Sequence, residues 1–382
     1  MEMTYELTEE LENYLNESQE ELTELIRELC GIPAPSHREE RRAAFCKEWL
    51  EKNGAEGVTI DEALNVIYPV GCEEGRDLIV FMAHMDTVFP ELVPHPMREE
   101  EGKLFCPGVG DDTTNLAILL MLEKYIAIHK PQPKCGILFV ANSCEEGLGN
   151  LKGSRQLMKD YGDRVRQVVS FDGYCTGMAN RAVGSSRYRV EVRTEGGHAF
   201  GNFGNRSAIH QLSKMIDMLY AIKVPDKAPT TFNVGVAQGG TSVNTIAQQA
   251  EMLYEYRSED KDCLQIMEDY FQGVIEAYRR SGITVLVEPL GQRPCGSMVD
   301  EEKLATLTQK GVDIITRYAG KRPVVKAAST DCNIPLSMGI PSLCLGTCLG
   351  GGAHTKGEWI ELSSLPAGCR IAAAFVMDYF YP

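Results

Sequence analysis

Basic residues are in deficit: 38 Lys and Arg stand against 54 Asp and Glu, a formal net charge of −16. A chain so acidic lacks the basic face that general binding to nucleic acid or an anionic membrane requires. Long apolar runs are missing as well. A membrane-spanning helix needs roughly 18–20 nearly uninterrupted apolar residues, and the best candidate, Leu116 to Ile128, is broken by Glu123 and Lys124. The N-terminal stretch MEMTYELTEELENYLNESQEELTELIREL is acidic and reads as one or two amphipathic helices, without the basic start and apolar run of a secretory signal. The 13 cysteines form no CxxC pair, and Cys344 and Cys348, with three residues between them, have no matching pair elsewhere. Scattered cysteines in odd number suit buried, reduced thiols rather than a disulfide framework or a thiolate zinc site, and the expected location is the cytoplasm.

What is present is ordinary for a folded chain: 43% hydrophobic and 24% charged residues over 382 positions, enough for a well-buried core and for two or three domains. Several short runs are apolar throughout and end in polar or glycine-rich turns. Leu78 to Ala83 runs into His84-Met85-Asp86, Gly136 to Ala141 into Asn142-Ser143-Cys144-Glu145-Glu146, and Gln167 to Phe171 into Asp172. Pro341 to Leu345 runs into a glycine-rich stretch before His354. Such runs predict strands buried on both faces, and helical patterns at Thr114 to His129 and Leu365 to Tyr379 alternate with them. The expected class is therefore α/β, a largely parallel sheet sandwiched by helices. Its polar residues fall just past the carboxyl ends of strands, where open sheets of this kind bind ligands.

The middle of the chain has a different rhythm. Arg187 to Arg193 and Glu251 to Arg257 alternate polar and apolar, as half-exposed strands do. With helices predicted at Ser207 to Ile222 and Cys263 to Ser281, residues 183–293 read as an α+β domain inserted into the first, which keeps 1–182 and 294–382.

His84 and Asp86 lie two apart at a strand end, where the carboxylate can accept the imidazole Nδ1–H and leave Nε2 for a metal. The same pair also fits a strand-end histidine capped by its neighbour. Gly108-Val109-Gly110-Asp111-Asp112 opens a helix, so either aspartate can be its N-cap, or Asp111 can bridge two cations while Asp112 caps. Glu145 and Glu146 are adjacent like charges at a buried sheet edge, costly without a cation or proton between them. In a metal site one would coordinate and the other take a proton from water. Asp172 and His354 complete a set of oxygen and imidazole donors suited to zinc, cobalt or manganese. His37, His95, His129 and His210 lack such context and are expected to be surface or structural.

In order and context, the segments AHMDT, GVGDDTTN, CEEGLGN, SFDGY and AHTKGEW resemble the metal-site segments of the co-catalytic zinc exopeptidases. That family includes peptidase T, aminoacylase, succinyl-diaminopimelate desuccinylase and the glutamate carboxypeptidases, and the likeness spans nearly the whole chain. The resemblance implies one zinc held by His84, Asp111 and Asp172 and another by Asp111, Glu146 and His354. It implies Asp86 as the group that orients His84 and Glu145 as general base, with water attacking an amide carbonyl polarised by zinc. The inserted domain looks like the family's lid and dimerisation domain. There, Thr194 to His198 resembles the segment of its lid histidine, which stabilises the oxyanion. Gly239 to Asn244 and Arg257 resemble residues that grip a substrate carboxylate, although a salt bridge explains Arg257 as well. The implied activity is cleavage of a small peptide in the manner of peptidase T; the alternatives are an N-acyl-amino-acid amidohydrolase or carboxypeptidase of the same family, or a metal-binding relative without catalysis, and the implied assembly is a homodimer. One departure stands out: where the family often has lysine and glycine after the paired aspartates, this chain has Thr113-Thr114-Asn115.

Overall fold

A computed structural model describes residues 5–296 and 298–380. They form two compact units, one of them the contiguous segment Val183–Gly296 and the other made of the stretches on either side.

The larger unit is built on an eight-stranded sheet. From one edge to the other, the strands are Thr59–Ile60, Val66–Val70, Gly136–Asn142, Leu78–His84, Val165–Phe171, Ser342–Leu345, Gly177–Ala182 and Val324–Ala328. The central joins, Gly136–Asn142 to Leu78–His84 to Val165–Phe171 to Ser342–Leu345, are parallel; Val66–Val70 and Gly177–Ala182 run against their inner neighbours. The apolar-throughout pattern has a direct cause. In Leu78–His84, Ile79, Phe81 and Ala83 enter the core on one face, while Leu78, Val80 and Met82 enter a second core on the other. Phe81 stacks between Phe139 and Phe171, with centroids 5.9 and 6.1 Å away. Each such side chain, taken fully from water, contributes roughly 1.5–3 kcal/mol.

Helix Thr114–His129 is buried almost all round, because it lies between this sheet and the outer helices. That explains why its sequence shows no polar stripe. The helix Leu365–Met377 shares the same core, and Lys152–Tyr161 covers the other face. None of the described helices is long and apolar enough to cross a membrane.

The contiguous unit is a four-stranded antiparallel sheet in the order Thr230–Gly239, Gln249–Ser258, Gly184–Arg193, Thr284–Arg293. Helices Ala208–Tyr220 and Lys261–Arg280 pack on it. Its alternation follows from one buried face: Met252, Tyr254 and Tyr256 enter the core, and the intervening Glu251, Glu255 and Arg257 join Arg187 and Arg189 in a ladder of ion pairs on the other. Helix Lys261–Arg280 is capped by Asp260, which accepts from the Cys263 N–H, and ends on Arg279 and Arg280, charges that suit the two ends of its dipole.

Candidate metal centre

Three strand ends and two loops of the larger unit converge on one acidic cluster. His84, the last residue of its strand, is 1% exposed. Its Nε2 lies 3.0 Å from Asp111 Oδ1 and 4.0 Å from Asp172 Oδ1. The second oxygen of Asp111 lies 3.2 Å from His354 Nε2, which in turn is 3.1 Å from Glu146 Oε1. Asp111 thus stands between the two imidazoles with one oxygen toward each. His354 sits on an exposed loop and adopts φ 63°, a left-handed conformation that costs a non-glycine residue roughly 1–2 kcal/mol. Ligand atoms of three sets, His84 with Asp112 and Asp172, His84 with Glu145 and Glu146, and Asp111 with Glu146 and His354, all lie within 4.8 Å of one another.

The donor set fits divalent cations. Asp86, Asp112, Glu145 and Glu146 are all at most 6% exposed. So many buried carboxylates repel one another and draw positive charge inward. Hydrogen bonds to Asp111 and Glu146 push His354 up to about 10. Burial, then the charge of Asp111, raises Asp172 to about 6. The field that pulls protons onto the imidazoles attracts hard and borderline divalent cations in the same sense, and oxygen and imidazole donors suit them.

One expectation from sequence is corrected here. Asp112 caps no helix. Its Oδ2 accepts the His84 main-chain N–H at 2.9 Å and its Oδ1 the Asn115 amide at 2.6 Å, so the carboxylate is turned toward the strand end instead. Asp86 meets the His84 ring with two oxygens: its main-chain oxygen lies 3.0 Å from Nδ1 and its carboxylate 3.5 Å. That carboxylate also accepts from the Glu145 and Glu146 N–H groups at 2.9 and 3.0 Å and from the Ser36 hydroxyl at 2.6 Å. Burial works against its ionised form, yet the His84 ring and these donors hold its pKa below the usual aspartate value. Asp86 therefore aligns both the imidazole and the paired glutamates.

The departure at Thr113-Thr114-Asn115 carries work of its own. Asn115 donates to Asp112 and, at 3.0 Å, to the Gly173 carbonyl, and its oxygen accepts the Thr347 N–H at 2.8 Å. It ties the segments of Asp112, Asp172 and the last parallel strand together. The fit there is tight: a Cβ on Gly346 would lie 2.3 Å from main-chain atoms of Gly173. Gly346→Ala is accordingly expected to destabilise the chain by about 1–3 kcal/mol in urea unfolding, since overpacking against backbone finds no flexible neighbour to yield.

The remaining sequence candidates lie in the contiguous unit. His198 pairs with Thr245, and the Ala199 N–H donates to the Asn244 carbonyl at 2.9 Å, so His198 and Asn244 are neighbours on an exposed edge. His198 Nδ1 accepts from the Phe200 and Gly201 N–H groups at 3.3 and 3.2 Å, which places the proton of the neutral ring on Nε2. Arg257 lies on another strand, its guanidinium held at 3.0 Å by both oxygens of Glu255. Of the other histidines, His129 stacks on Tyr125 and pairs with Glu10, and His95 packs edge-on against Phe89.

Residues 80–378 match the model of peptidase family M20/M25/M40. Carboxypeptidase G2 of Pseudomonas sp. (strain RS-16) is 25% identical over 332 residues, covering 82% of this chain and 76% of that protein. Among solved structures, a tripeptidase of Staphylococcus aureus superposes with a TM-score of 0.76 at 22% identity, covering 94% of this chain and 98% of the other. The aminopeptidase PepT of Bacillus cereus gives 0.72 at 21%, with the same coverage. A family match over most of the length, on a fold that gathers metal-binding side chains at its strand ends, leads to one conclusion: the chain belongs to peptidase family M20/M25/M40 and is a metal-dependent peptidase or amidohydrolase.

Proposed function

We propose that the chain hydrolyses an amide bond of small peptides with two divalent cations, zinc by the nature of the donors, and Glu145 as the proton-transferring base. The observation that carries this reading is the position of Asp111, with one oxygen 3.0 Å from His84 and the other 3.2 Å from His354. In this reading His84, Asp111 and Asp172 hold one cation, and Asp111, Glu146 and His354 the other. The cations, when bound, supply Lewis acidity toward the amide carbonyl and the attacking water. Asp86 keeps the His84 ring and the Glu145 main chain in register. Glu145 takes the proton of the attacking water and returns it to the departing amine. His198, with its Nε2–H free to donate, is assigned to the developing oxyanion. Asn244 and Arg257 are assigned to the substrate carboxylate by resemblance, Arg257 after exchanging its partner Glu255.

A peptidase T-like aminopeptidase is the preferred substrate class, in line with the tripeptidase and PepT folds. A second reading, an N-acyl-amino-acid amidohydrolase or carboxypeptidase, is favoured by the likeness to carboxypeptidase G2. Hydrolysis of a free tripeptide and of its N-acetylated form separates them. The expected result is cleavage of the free peptide and loss of activity on acetylation; faster cleavage of the acetylated form would overturn the aminopeptidase reading. A homodimer formed through the contiguous unit and a cytoplasmic location complete the proposal. The outer strand Thr230–Gly239 leaves one edge unpaired within its sheet, and Ile209, Met218 and Tyr220 on the adjacent helix are exposed, as a pairing surface requires.

A further inference from the structure

The loop that carries Asp111 is held by a side chain to which none of these roles has been given. Glu358, four residues beyond His354 and 0% exposed, turns its carboxylate onto three main-chain N–H groups of that loop. Gly108 donates to Oε2 at 2.6 Å, and Gly110 and Asp111 each donate to Oε1 at 2.8 Å. The Tyr174 hydroxyl, two residues past Asp172, donates to Oε1 at 3.5 Å. Main-chain N–H groups aimed at one point form an anion-binding concavity, and left-handed Gly108, φ 77° and ψ 12°, supplies the necessary curvature. The loop has little freedom to sit elsewhere. A Cβ on Gly108 would meet Thr87 at 2.6 Å, and one on Gly110 would meet the Tyr174 ring at 2.5 Å. The segments bearing Asp111, Asp172 and His354 thus meet at a single buried carboxylate.

We infer that Glu358 is a positioning residue for the metal centre, which holds the main-chain amide of Asp111 so that its two carboxylate oxygens face His84 and His354 separately. The amide it grips belongs to the bridging residue itself, so a shift of the loop turns the bridge directly. Glu358 acts through the main chain of Asp111. The inference rests on the two-cation reading of the site.

The test uses the full chain, stripped with a chelator and titrated with Co2+ alone, before and after Glu358→Gln. Glutamine matches glutamate in size but turns an NH2 group toward at least one of the three N–H donors. The unaltered chain is expected to take up two Co2+. Glu358→Gln is expected to bind Co2+ about 10–100-fold more weakly, the usual loss when an outer partner of a ligand is removed. Its visible Co2+ spectrum should change, and kcat should fall with KM unchanged. Glu358→Asp, which keeps the charge but falls one methylene short, should lie between the two, and it carries the comparison if the glutamine variant does not fold. Equal Co2+ affinities and superimposable spectra for the unaltered chain and the variants would overturn the inference. Uptake of fewer than two Co2+ by the unaltered chain is a separate failure, that of the two-cation reading itself.

Discussion

Glu145→Gln is expected to lower kcat on a cleavable peptide by about 10²–10⁴-fold, the usual range for a removed general base, while both cations remain bound. The reason lies in how Glu145 is placed. It is 6% exposed, its main-chain N–H is held 2.9 Å from Asp86, and one of its carboxylate oxygens lies within 4.8 Å of a ring nitrogen of His84 and a carboxylate oxygen of Glu146. Glutamine keeps the size and the main-chain bond, so the strand end and the neighbouring Glu146 stay where they are. What vanishes is the ability to accept a proton from water. Metal analysis of the purified variant, run beside its kinetics, separates base from ligand. Activity within about ten-fold of the unaltered enzyme would exclude Glu145 as the base, and parallel loss of metal would recast it as a ligand.

Asp111→Asn and His354→Ala should fail in different ways. Asp111 faces both imidazoles, so its conversion to an amide removes the charge shared by the two proposed cation positions. The expected result is weakened binding of both metals, by more than the roughly 10–100-fold that outer partners cost. His354 faces Asp111 and Glu146, and its removal should release one metal and leave the other on His84 and Asp172. Equilibrium dialysis with metal quantification reads the count per chain. If His354→Ala lost both metals or neither, the division of the ligands into two positions would be wrong.

Much of the architecture was legible because burial on both faces leaves an unmistakable trace. Leu78 to Ala83 and Gly136 to Ala141 have no polar side, and both are central strands. The alternation around Met252, Tyr254 and Tyr256 marked a sheet with one wet face for the same reason. The short strands Val66–Val70 and Val324–Ala328 left weaker marks, since an edge or a neighbour of the edge is only partly buried. At the site, the residues brought together around Asp111 were those whose side chains follow strand ends. Within AHTKGEW, Glu358 carries no sequence mark of its burial, because a lone glutamate in a glycine-rich loop looks solvated. Nothing local reveals that three N–H groups some 250 positions earlier converge on it. Asp112 departs from its sequence expectation for a related reason: an aspartate before a helix is usually a cap, and only the tertiary contact with His84 N–H redirects it.

The order of strands in the larger sheet bears on how the chain comes off the ribosome. Val165–Phe171 is made early, but its neighbour Ser342–Leu345 follows only after the whole of Val183–Gly296. Until then the growing chain carries an open parallel edge, the kind of exposed pairing surface that invites association with other chains. The contiguous unit has no such wait: all four of its strands and both helices arrive in one stretch, and its core can close as it emerges. His354 comes later still, so the two imidazoles that flank Asp111 are brought together among the last long-range events of synthesis, when the sheet edge is finally sealed.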